Sequence, residues 1–186
     1  MGSYIESYSG ADHFKDNVNY EVQRQNHFEI SIDLKRLNLG PSDIYSEHIR
    51  LCCTNAGIPN LTIDPVDLKH GNEIIHVAGQ PKFTNSSIKV YDTIGSNMAN
   101  MLQSWFWRIF NPETHLMGLV TSYKTDAQLY LYSPDASVIR CWDLVGVFPT
   151  SLNFGEMSSD GGGGVQQITM DLSVDRSILR TVKGNS

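Results

Sequence analysis

Residues 137–178 read SVIRCWDLVGVFPTSLNFGEMSSDGGGGVQQITMDLSVDRSI, and this stretch decides the fold. Its second half puts Ile168, Met170, Leu172 and Val174 on one parity and Gln167, Thr169, Asp171, Ser173 and Asp175 on the other. Successive side chains of a strand point to opposite faces, so the pattern predicts a strand with one face in a core. The first half, around Trp142, Asp143 and Leu144 and ending on Phe148-Pro149, is rich in the β-branched and aromatic residues that suit a pleated surface. Between them the run GGGG at 161–164 precedes a strand instead of opening a helix, and no Lys-Ser/Thr follows it. It reads as a flexible connector and not as a phosphate loop.

Working outward, Phe28, Ile30, Ile32 and Leu34 alternate with Glu29, Ser31 and Asp33, which predicts another half-buried strand. After it the Gly40-Pro41 breaker predicts a loop with at most one helical turn, and a strand is expected from Ile49 to Cys53. LTIDPVDLK and NEIIHVAG flank His70-Gly71 as a hairpin; its parity slips at Pro65, where a bulge is expected. Residues 83–91 read as a strand. The one helix is expected over 92–111, where Ile94, Met98, Met101, Leu102, Trp105, Phe106 and Ile109 fall on one stripe, Asp92, Thr93 or Ser96 can cap the start and Pro112 stops it. Met98, Leu102, Trp105, Phe106 and Ile109 are the expected core contact of that helix. Strands resume over 116–124, 127–132 and 137–148, the last two joined at Ser133-Pro134-Asp135-Ala136. The fold class is mainly β, an antiparallel β-sandwich or barrel with one packed α-helix.

A chain of 186 residues can bury one substantial core. Residues 1–26 are polar and weakly patterned and read as an extension, leaving 27–186 as one β-domain. The formal net charge of -6 argues against a clamp that gains affinity by neutralising phosphates. With no basic leader and no run of about 18 apolar residues, the expectation is a soluble protein without a membrane anchor, made in the cytosol. Cys52, Cys53 and Cys141 show no C-x-x-C spacing, so zinc is not expected. The odd count leaves room for a disulfide between copies, with the adjacent pair facing opposite sides of one strand.

No catalytic chemistry is legible. The histidines at 13, 27, 48, 70, 76 and 115 include no H-E-x-x-H, although His70 and His76 could meet across their hairpin. No G-x-S-x-G supports a serine nucleophile, and Cys141 sits inside an apolar strand that favours an inert thiol. Glu156, Asp160, Asp171 and Asp175 could suggest paired carboxylates, but strand alternation explains Asp171 and Asp175 more simply. Neither an enzyme nor a cofactor or metal site is expected.

The order of signals over about 26–180 resembles the tail tube protein family of contractile-tailed bacteriophages. The resemblance rests on the early strand HFEISIDL, Ile58-Pro59, the IKVYD junction into a helix bearing Trp105, the segment 112–118, and the C-terminal Trp-Asp-Leu strand, Gly/Ser loop and closing strand. It implies a virion protein of the phage tail, made in the host bacterium, that forms hexameric rings stacked into a hollow tube. The implied partners are other copies of the chain, the tail sheath, the baseplate and the tail terminator, with DNA passing through the lumen without specific binding. It further implies a continuous β-barrel closed across subunits, each giving two hairpins, at about 59–79 and 127–149 here. Asp64, Asp67 and Glu73 on the first and Asp126 and Asp143 on the second are then candidates for the lumen lining. Competing readings are the tube of a type VI secretion or phage-tail-like injection system, with protein cargo, and a monomeric β-sandwich binding module.

Overall fold

A computed structural model describes residues 23, 25–40, 42–95, 98–157 and 164–181. The polar extension 1–26 and the glycine run therefore lie largely outside the described residues. Eleven strands are arranged around one helix-covered core: β1 (Phe28–Ile32), β2 (Cys53–Ala56), β3 (Leu61–His70), β4 (Glu73–Phe83), β5 (Ser86–Tyr91), β6 (Phe110–Asn111), β7 (Leu116–Met117), β8 (Thr125–Tyr132), β9 (Val138–Asn153), β10 (Gln167–Ser173) and β11 (Arg176–Thr181). The α-helices are α1 (Ser42–Cys52), α2 (Met98–Trp107) and the single turn α3 (Val120–Tyr123).

The sixteen-residue β9 organises the molecule. Its first part lies between β8 and β11, its last part pairs β10, and the main sheet runs β1-β8-β9-β10-β5-β2 with β11 on β9. β10 and β11 follow one another along the same side of β9, from Thr169 opposite Asn153 to Thr181 opposite Arg140. Every sheet pairing is antiparallel. The two long strands and the helix-on-sheet architecture expected from the sequence are present. Ile168, Met170, Leu172 and Val174 are all buried, on the parity that the alternation assigned to the core.

The core joins the two halves of the bent sheet. Ile30, Ile32, Ala127, Leu129, Leu144 and Val147 from β1, β8 and β9 meet Ile88, Val90, Ile168 and Met170 from β5 and β10, and Met98, Met101, Leu102 and Trp105 of α2 close it. Trp105 is fully buried, and its indole Nε1–H donates to the Tyr123 carbonyl at 2.8 Å.

Strand β9 changes partners at Gly146, where φ is +70°. A Cβ there would lie 2.2 Å from Oδ2 of Asp175, so the position requires glycine both for its conformation and for the space. Asp175 is held in place by Lys124, whose Nζ is 2.5 Å away, and the Gly146 N–H donates to Asp126 Oδ1 at 3.0 Å. The bulge in β9 thus has its own polar clasp.

Four segments differ from the sequence reading. Residues 42–52 form an eleven-residue helix instead of a loop entering a strand, because Tyr45, Ile49 and Cys52 make a narrow stripe that settles on β1. Cys52 consequently ends a helix while Cys53 begins β2, and the pair does not alternate along one strand. The expected helix 92–111 shrinks to Met98–Trp107: Ile94 is fully exposed before it, and bonds from the amides of Arg108 and Ile109 to the carbonyls of Trp105 and Phe106 tighten its end. The expected strand 116–124 is broken into β7 and α3, since Gly118 passes so close to the Arg108 carbonyl that a Cβ would sit 1.8 Å from it. Finally, β5 begins at Ser86, because Phe83 belongs to β4.

Candidate assembly surface

Strands β3 and β4 form a hairpin that pairs only with itself. Ten residues of β3 are all exposed, and Gly79 and Phe83 alone are partly covered on β4. Seven aliphatic side chains (Leu61, Ile63, Val66, Leu68, Ile74, Ile75 and Val77) stand in solvent on this arm. Val66 opposite Val77 and Leu68 opposite Ile75 make an apolar stripe on one face, while Asp67 opposite His76 occupies the other. The register shifts between Ile63 and Pro65, at the parity slip in the sequence. An isolated two-stranded ribbon is marginal in water, and apolar patches of this kind mark interaction sites. The arm is therefore a surface built to be covered.

The arm spans 61–83, and the second hairpin, β8–β9, spans 125–153, so both are longer than the sequence suggested. The extra length brings in Lys82, which pairs with Asp64 at 3.1 Å. Asp67 accepts a hydrogen bond or ion pair from His76 at 2.7 Å, and Glu73 has no such partner among the described residues. Asp126 lies 3.9 Å from Arg36. Asp143 is bonded to Arg180 and accepts from Gln128 at 3.0 Å, and these two hydrogen bonds hold its carboxyl below the ordinary range. Four of the five candidate lining acids are therefore partnered within the chain, which sequence proximity could not show: three of their partners lie on other elements.

His70 stands opposite Glu73 and His76 opposite Asp67, so the two histidines are not cross-strand neighbours. No group of three or more His, Cys, Asp and Glu side chains suited to a metal occurs among the described residues. The three cysteines are free thiols. Cys141 is buried, and burial pushes the Cys53 thiol up to about 11, which disfavours the thiolate needed for exchange with a partner's sulfur. Among the helix residues singled out by sequence, Met98, Leu102 and Trp105 are buried and Phe106 and Ile109 half-buried.

Open strand edges accompany the arm. β1 and β2 end the main sheet, and β11 pairs with β9 alone, so each has an edge without a ladder partner in the sheet. No helix is long and apolar enough to cross a membrane among the described residues.

Solved structures with this architecture belong to injection machinery. One, described as the tube-terminating cap of the anti-feeding prophage, matches with a TM-score of 0.66 at 16% identity, over 91% of this chain and 97% of that one. Another, from the sheath-tube complex of the PVC extracellular contractile injection system, matches at 0.64 and 18%, over 89% and 95%. The chain carries the tube fold. A tail tube of SPP1 extends the likeness to phage, with a TM-score of 0.50 at 9% identity over 87% of this chain and 80% of that one. No family model matches the sequence, and no curated protein matches it. The tube fold explains why the sequence offers strands, edges and an exposed arm instead of a reaction centre.

Proposed function

We propose that this chain is a structural, non-catalytic subunit of the hollow inner tube of a contractile tail, in which hexameric rings stack and the lumen is the conduit for the phage genome. The observation that carries the reading is the β3–β4 arm: seven exposed aliphatic side chains on a ribbon that nothing in its own chain covers. Arms from neighbouring copies, joined side by side, would satisfy their open edges and cover their apolar stripes. The tube fold supports the same reading, as do the titles of its structural relatives, which name a sheath-tube complex and a baseplate. Sheath, baseplate and terminator are accordingly the partners proposed here, and the tail or injection particle the location.

Asp64, Asp67 and Glu73 on the arm and Asp126 and Asp143 on β8 and β9 are proposed to face the lumen. Pairing of Asp64 with Lys82 and Asp67 with His76 softens the potential there, so the lining is weakly negative and does not grip phosphate. A second reading, a tube of a phage-tail-like particle with protein cargo, is favoured by the anti-feeding prophage and PVC likenesses.

Negative-stain imaging of the concentrated protein tests the proposal. Rings or tubes with a central hole are expected; a protein that stays monomeric at every concentration and salt would return it to a monomeric β-sandwich binding module. Replacing Asp64, Asp67 and Glu73 with Lys is expected to slow DNA release from particles, and unchanged release with normal tubes favours the protein-cargo reading.

A further inference from the structure

Away from the arm, the chain carries a second apolar feature and a cleft without charge. The segment from Phe110 to Val120 projects beyond the end of α2 as a knob. Leu116, Met117 and Leu119 are exposed at 68%, 71% and 77%, more than most of the arm residues. The knob is rigid: β6 pairs β7, the Gly118 amide donates to the Ile109 carbonyl at 2.9 Å, and the Asn111 side chain accepts from the Glu113 amide at 2.9 Å. Between positions 109 and 123 Glu113 is the one formally charged side chain.

A cleft of about 850 Å³ lies between β1, β8 and β9 on one side and β2 with the segment leading to the arm on the other. Phe28, Leu131, Trp142 and Ile58 line it together with amides such as Asn55 and Asn60, and no charged side chain does. All four residues of β2, the last strand of its sheet, line this cleft. An uncharged apolar protrusion and an uncharged cleft bordered by an open strand edge are complementary, and a partner bearing Lys, Arg, Asp or Glu would leave its charge desolvated in the cleft.

We infer that the knob of one copy docks in the cleft of the next, a heterologous contact separate from any pairing of the arms. Such a contact leaves one free knob and one free cleft at every stage of growth, and closes only when the rotation per copy completes a ring. The preformed knob loses little conformational freedom on docking. The inference rests on the tube reading for its ring, but not for the contact itself.

The test uses two full-length variants, Leu116→Glu/Met117→Lys on the knob and Ile58→Glu in the cleft, each checked by thermal melting for an intact monomer. Analytical ultracentrifugation and negative-stain imaging are expected to show each variant alone as a monomer without rings. Their equimolar mixture is expected to give a species of twice the monomer mass and nothing larger, because one intact knob and one intact cleft remain to meet once. Wild-type rings together with unchanged rings from the knob variant would overturn the inference and leave the tube reading standing, with the knob then facing another partner such as the sheath. A wild-type protein that forms only open, knob-dependent chains would uphold the contact and sink the ring. A mixture that stays monomeric while wild type associates overturns the inference, and a monomeric wild type overturns both.

Discussion

The β9–β10 pair and the β3–β4 arm are both long antiparallel hairpins with aliphatic residues in strand register, yet one is half buried and the other almost wholly exposed. In β10 every second residue from Ile168 is buried, because α2 and the sheet carrying β1 and β8 lie on that face. Along β3 no residue is buried at all, although Leu61, Ile63, Val66 and Leu68 are as apolar as anything in β10. The difference lies in what surrounds each ribbon and not in its composition. The body keeps its own stability, and the arm offers its apolar area to other molecules.

The sharpest way to break this comparison is to charge the arm. Leu68→Asp/Val77→Asp is expected to abolish assembly, since each carboxylate would be buried at a contact without a partner, while the melting of the isolated subunit stays within about 0.5 kcal/mol of wild type. Rings from this variant would show that the stripe stays in water. Trp105→Ala should do the reverse: truncating a fully buried indole and orphaning the Tyr123 carbonyl is expected to destabilise the monomer by ~3–5 kcal/mol, read by denaturant titration.

Gly146→Ala probes the joint that lets β9 serve both halves of the body. The positive φ and the Asp175 carboxylate in the Cβ position predict a loss of about 1–3 kcal/mol, and a double-mutant cycle with Asp175→Ala should recover the steric part but not the conformational part. The smallest effect is expected at Asp143, whose side chain is 16% exposed while Arg180 is 68% exposed. Its carboxyl is held below the ordinary value of about 3.9 by Gln128 and Arg180, so its contribution is present above that pH and is lost as pH falls through the folded value. Asp143→Asn should therefore cost under about 1 kcal/mol at pH 7 and nothing in strong acid, as pH-dependent melts would register.

Legibility of the candidate surface followed the same division. The arm's existence and the irregularity at Pro65 were readable from parity alone, but its exposure was not, since Val66 and Leu68 look like core residues until nothing is found against them. The acids were readable as charges, and their partners were not: Arg180 lies 37 positions from Asp143, and only the antiparallel run of β11 along β9 brings them together. Helix α1 was missed because its buried stripe is thin, Ile49 being its one fully buried apolar residue. The knob at 110–120 was mistaken for part of a strand, since the close pass of Gly118 over Arg108 depends on α2 ending where it does.

By itself, the sequence determined the alternating strands, the apolar stripe of α2, the lack of catalytic motifs and the resemblance to tube proteins. These depend on side-chain period and local turn chemistry, which a chain carries wherever it goes. Tertiary structure alone decided which apolar strands are covered, which acids are neutralised, and that β9 bends at Gly146 to tie two halves into one core. Those outcomes depend on the volume and charge that distant segments bring to a face, and no local pattern encodes what will arrive there.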